Sequence, residues 1–198
     1  TRRSSDLAGI FARAQRATTA RLTAANLFYV VAVYYVLSWL PQMVSDAGFD
    51  AATGSLVSAV ANLVGIVGGL VVGALARSAG LQRLTIGVMV GLGLATMGFG
   101  FAPGALPLLF LGAGVCGFFL FGGAAGMFAT LATAFEAESR ASGTGFVIGV
   151  GRVGSAIAPL LAGWLFAAGL GRAEVSVAFG GCALLAGGIL ALERGRSS

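Results

Sequence analysis

From Leu84 to Phe135 the chain runs for 52 residues without a charged side chain. About 18 uncharged, apolar residues suffice to cross a bilayer as a helix, so this run is long enough to cross twice. Pro103 and Pro107 fall near its middle, where a chain crossing twice has to turn. A soluble fold cannot hide such a run. Hydrophobic residues make up 58% of the chain and charged residues 10%, whereas soluble domains carry about 25% charged residues.

Apolar spans recur along the rest of the sequence. They fall at about residues 22–44, 54–76, 84–102, 108–133, 142–168 and 175–192. At about 1.5 Å per residue each approaches or exceeds the length needed for a hydrocarbon core of about 30 Å. The expected fold class is therefore an all-α integral membrane domain of six transmembrane helices. Residues 1–21 form a basic segment, either amphipathic on the membrane face or a solvated linker, and residues 193–198 form a tail. Because the chain starts at Thr1 with no methionine, it reads as part of a longer protein.

All twelve basic residues are arginine. In the six-span topology ten of them fall on one side: five before the first span, then Arg77, Arg83, Arg140, Arg194 and Arg196. Arg172 alone falls on the other side, and Arg152 lies within a span. This bias predicts an inner (cell) membrane protein with both ends of the chain cytoplasmic. Despite the net charge of +5, no basic patch interleaves with aromatic residues, which argues against a nucleic-acid partner. Cys116 and Cys182 sit in apolar segments and suggest neither a disulfide framework nor a metal. With no histidine and no acidic pair at membrane depth, intramembrane hydrolysis lacks its residues, and no enzyme activity is expected.

One stretch points two ways. Gly149, Gly151 and Gly154 spell G-x-G-x-x-G after the apolar Phe146–Ile148, and Glu174 lies twenty residues beyond the third glycine, as a dinucleotide-binding turn would have it. Yet Pro159 would sit inside the following helix at a cost of about 3 kcal/mol. Glu174 also precedes the next apolar run instead of closing a second strand. In a membrane helix, Gly151, Ser155, Pro159 and Gly163 fall at four-residue intervals and make one small-residue packing face. No cofactor is expected.

Arg152 is the residue that packing does not explain. Entering at Ser142, the chain carries it about 15 Å deep, where an arginine costs about 3 kcal/mol or more. Either it makes a structural pair with a carbonyl or carboxylate, or it faces a polar cavity and holds a substrate carboxylate bidentately. Asn26 and Asn62 either line the same cavity or tie helices together. Tyr29, Tyr34 and Tyr35 suit a ring-bearing ligand or a membrane interface, while Trp39 beside Pro41 reads as an interfacial anchor. Phe118, Phe119, Phe121 and Phe128 read as packing. No span holds an aspartate or glutamate, so a proton-titrating carboxylate would lie outside these spans.

Three segments together carry a family likeness: Tyr34-Tyr35-Val36-Leu37-Ser38-Trp39-Leu40-Pro41, the glycine-striped second span ending near Arg77, and Arg140-Ala141-Ser142-Gly143 leading to Gly149-Val150-Gly151-Arg152-Val153-Gly154. They resemble the C-terminal half of a major facilitator superfamily transporter, most nearly the aromatic acid/proton symporters. The resemblance implies six of twelve helices, a missing N-terminal six-helix half, and a site between the halves at mid-membrane. It further implies proton-coupled uptake of a small organic anion, such as an aromatic carboxylate, with Arg152 as the motif arginine and Tyr29, Tyr34 and Tyr35 as the aromatic-rich start of the half. With the two intramembrane asparagines added, the substrate-binding candidates are Arg152, Asn26, Tyr29, Tyr34 and Asn62. Two positions depart from the family pattern: Ala76 precedes Arg77 where an aspartate is common, and Phe135-Glu136 stands where Tyr-Pro is usual. Transport of another small solute (a sugar, a metabolite or an effluxed drug), or a self-contained six-helix protein with a structural or partner-binding role, are the alternatives.

Overall fold

The computed structural model describes residues 15–192. Residues 1–14 of the basic segment and the 193–198 tail lie outside the described residues. Six helices follow one another: α1 Arg16–Asp46, α2 Ala51–Leu75, α3 Leu81–Phe101, α4 Leu106–Ala134, α5 Arg140–Ala167 and α6 Arg172–Ala191. Each is long and apolar enough to cross a membrane. Phe146–Ile148, the strand that a dinucleotide fold would require, lies within α5, and no strand occurs among the described residues. The fold is therefore the all-α membrane architecture.

Proline does not end the first helix. Pro41 sits inside α1, which continues to Asp46: the fixed φ of proline is itself helical, and the helix bears the lost hydrogen bond to the carbonyl four residues back and the crowding of that carbonyl by the ring. At the other end the helix starts at Arg16, so residues 16–21 extend the helix of the first span; Arg21 Nε donates to the Ala17 carbonyl at 3.2 Å. Three connections turn on glycines with positive φ, namely Gly48 (96°), Gly80 (80°) and Gly169 (90°). α2 starts on Asp50, whose carboxylate accepts the Thr53 amide at 2.8 Å. Hydrogen bonds from Thr53 hold the Asp50 carboxyl below the ordinary carboxylate value.

The helices pack chiefly as the pairs α2 with α4, α3 with α6, α1 with α5 and α3 with α4, and α1 also meets α6 and α2. Lipid tails are as apolar as leucine, so close packing and interhelical hydrogen bonds have to hold such pairs. At the α3–α6 crossing the two backbones touch through reciprocal glycines. A Cβ on Gly93 would meet the Gly180 carbonyl at 2.8 Å, and one on Gly180 the Gly93 carbonyl at 2.7 Å. Both ends of this pair are clasped. Gln82 donates to the Leu190 carbonyl at 2.9 Å, and at the far end Arg172 donates from Nε to the Gly100 carbonyl at 3.1 Å and from Nη2 to the Ala102 carbonyl. The lone arginine of that side thus caps the C-terminus of α3, where a cation also meets the helix dipole favourably. α2 and α5 present wide apolar faces outward, with Leu63, Leu70, Leu160 and Trp164 all more than 60% exposed.

Candidate functional site

A cavity of about 230 Å³ opens between α1, α4 and α5. From α1 it takes Asn26, Tyr29, Val30, Val33, Tyr34 and Leu37; from α4, Leu120, Phe121, Ala124, Met127 and Phe128; and from α5, Ile148, Gly151 and Arg152. Each set follows the three- and four-residue steps of one helical face, so three helices turn one face each to the same space. The aromatic residues Phe121 and Phe128, seven apart on α4, were legible as packing from the sequence; the structure sets both in the cavity wall.

The polar side chains divide into two groups. Asn26 is buried and donates from Nδ2 to the Val147 carbonyl of α5 at 3.1 Å. Tyr29 is buried and its phenol donates to the Leu120 carbonyl of α4 at 2.7 Å. Both line the cavity, but these polar atoms tie its walls together. The second group is Arg152 and Tyr34. Arg152 Nη1 donates to the Tyr34 phenol oxygen at 3.4 Å, a long contact. No other side-chain hydrogen bond of Arg152 occurs among the described residues, and its side chain is exposed. The remaining guanidinium N–H groups, and the phenol proton of Tyr34, are therefore open to a ligand.

Other candidates lie elsewhere. Asn62, read from the sequence as lining the same cavity or tying helices, lines a smaller adjoining chamber of about 30 Å³ with Ser58, because it stands on α2, which contributes nothing to the larger one. Tyr35 turns away from both: its hydroxyl shares a 2.8 Å hydrogen bond with Ser176, and its ring stacks on Phe179 with centroids 4.3 Å apart. Trp39 donates to the Pro159 carbonyl of α5 at 3.3 Å and so joins α1 to α5. Phe118 and Phe119 pack edge to face at 5.4 Å. No cluster of His, Cys, Asp or Glu that could hold a metal ion occurs among the described residues.

The cavity thus has a cationic fork at one wall and apolar or aromatic surface over most of the rest. Comparison with known proteins gives the fold and this cavity a context. A benzoate transport protein of Acinetobacter baylyi is 27% identical over 154 residues, covering 76% of this chain and 32% of the relative. A 3-(3-hydroxy-phenyl)propionate transporter of Escherichia coli is 28% identical over 183 residues, covering 91% of this chain and 45% of the relative. The chain is related to aromatic acid transporters. A gallate transporter of Pseudomonas putida, 26% identical over 163 residues, covers 82% of this chain and 36% of its own length. The chain thus spans less than half the length of these relatives. All three are named as transporters, which are not enzymes. No protein-family model matches the chain.

Proposed function

We propose that this chain is part of a secondary active transporter that takes up a small aromatic or other organic carboxylate, coupled to protons, and that Arg152 holds the carboxylate. The reading rests on one observation above the others: a guanidinium at mid-span, hydrogen bonded only to Tyr34 among the described residues, faces a cavity walled by Phe121 and Phe128. An uncompensated arginine in a bilayer is costly. A bound carboxylate would offset that cost, because the planar fork of arginine matches its two oxygens. The phenol of Tyr34 adds a neutral donor beside it, and the aromatic walls suit a ring. The size agrees, since a dry cavity of about 150 Å³ already admits benzene.

In the full protein a second six-helix half would complete the site, and rocking of the two halves would expose it to each side in turn. The outward apolar faces of α2 and α5 suit such a partner. The arginine bias supports an inner-membrane location with both ends of this chain cytoplasmic, and the lack of aspartate and glutamate within the apolar spans read from the sequence supports a proton carrier that lies outside them.

Uptake of radiolabelled benzoate by cells expressing the full-length protein tests this reading. Arg152→Lys keeps the charge and loses the fork, so uptake should fall at least tenfold while the amount of protein in the membrane stays unchanged, on the scale of a charged hydrogen bond of about 1.5 to 3 kcal/mol. Uptake equal to wild type would remove Arg152 from the site.

A further inference from the structure

Asn62 is the only polar side chain on α2 between Ala59 and Leu75, and its neighbours Leu63 and Ile66 are exposed and apolar. A side-chain amide on such a helix usually serves to hydrogen-bond a neighbouring helix. Here it does not. Asn62 Nδ2 donates to the Ser58 carbonyl of its own helix at 2.8 Å, and the Ser58 hydroxyl donates to the Gly54 carbonyl at 3.0 Å. With those protons spent, Ser58 Oγ can only accept, while Asn62 keeps its Oδ1 acceptor and one N–H.

These groups line the small chamber, and the small chamber adjoins the larger cavity. Leu37, Leu120 and Phe121 belong to its wall and to the wall of the larger cavity alike. The two spaces therefore meet across the same three apolar side chains. Size separates their capacities. A volume of about 30 Å³ exceeds the 10 to 15 Å³, roughly, that one water requires, yet it is far below what a ring occupies.

We propose that this chamber receives a hydroxyl carried on the ring of the substrate, and that Asn62, with Ser58, sets the preference for hydroxylated over unsubstituted aromatic acids. This rests on the larger cavity being the aromatic-acid site. The carboxylate lies at Arg152, the ring along Phe121, and a ring O–H reaches past Leu37 and Leu120 to donate to Asn62 Oδ1 or Ser58 Oγ. An unsubstituted ring leaves the chamber to a water and still fills the larger cavity. Asn62 is a specificity-determining residue on this account, and transport as such does not need it.

The test is competition between para- or meta-hydroxybenzoate and benzoate for uptake by the full-length protein, with Asn62→Leu and Ser58→Ala as separate variants. Asn62 is exposed and bonds only its own helix, so the leucine variant keeps the fold. Loss of one hydrogen bond to the ring hydroxyl should lower the preference for the better hydroxylated acid about tenfold in Asn62→Leu, and less in Ser58→Ala, with benzoate uptake retained. An unchanged preference in Asn62→Leu, or an equal loss of both acids, would overturn the assignment; the second result would make Asn62 a helix contact. If wild type carries neither acid, or Arg152→Lys carries both normally, the reading of the larger cavity falls first, and the two failures are told apart.

Discussion

Gly151 of α5 lies so close to the side-chain amide of Asn26 on α1 that a Cβ at this position would overlap Asn26 Nδ2. The same amide donates to the Val147 carbonyl one turn earlier on α5. Asn26 is thus lodged in a notch that a glycine makes, immediately beneath Arg152.

Adding one methyl group there should be enough to undo the arrangement. In Gly151→Ala the amide has to leave the notch and the Val147 carbonyl, and overpacking of this kind costs about 1 to 3 kcal/mol. Thermal unfolding in detergent should show a lower midpoint for Gly151→Ala. Gly149, from the same glycine motif, has nothing within 4 Å of its Cβ position, so Gly149→Ala should melt like wild type. Equal losses at the two positions would mean that the motif acts through something other than the α1–α5 contact.

Much of this fold was legible because the bilayer leaves few options: a helix of bilayer length with no charges can hardly be anything else. Pro41 shows where such patterning stops. Proline is a stop signal in water, where α1 would gain little by continuing, but here Gly54 of α2 packs with its Cβ position 2.9 Å from the Pro41 carbonyl and the helix runs on beneath it. The site was legible only in part. Arg152 stood out because its depth makes it costly, whereas Tyr34 and Tyr35 are indistinguishable as letters. About 100° of helical rotation separates them, and it sends one to Arg152 and the other to Ser176. Which helices lie on either side of α1 decides that outcome, and no local pattern encodes it. Asn62 shows the same limit: its residue type left a cavity and a helix contact both open, and the pairing of α2 with α4 sets it in the chamber next door.

Tyr34→Phe isolates the second donor of the proposed carboxylate site. The ring remains, so the cavity wall and the packing of α1 should be unchanged. The phenol is lost to both Arg152 and the ligand, and a neutral hydrogen bond is worth about 0.5 to 1.5 kcal/mol. The KM for aromatic acid uptake should therefore rise by about two- to tenfold, with a small effect on the maximal rate. Arg152→Lys should cost more than Tyr34→Phe, because it removes the charged fork; the reverse order would make Tyr34 the principal ligand group.

The clasps on α3 and α6 make a separate prediction about stability. Arg172 holds the C-terminal carbonyls of α3 at Gly100 and Ala102, and Gln82 holds the Leu190 carbonyl near the C-terminus of α6. Arg172→Ala should destabilise by about 1.5 to 3 kcal/mol, the range for hydrogen bonds from a charged donor, and Gln82→Leu by about 1 kcal/mol. The two sites stand at opposite ends of a helix of 21 residues, about 30 Å apart along its axis. Between them the backbones are pinned at Gly93 and Gly180. Losses at such separated sites should add to within about 0.5 kcal/mol. Unfolding of the two single variants and the double variant in detergent measures this directly. A double variant markedly less stable than the sum would show that the glycine contact holds only while one clasp remains, so that α3 and α6 separate as a unit.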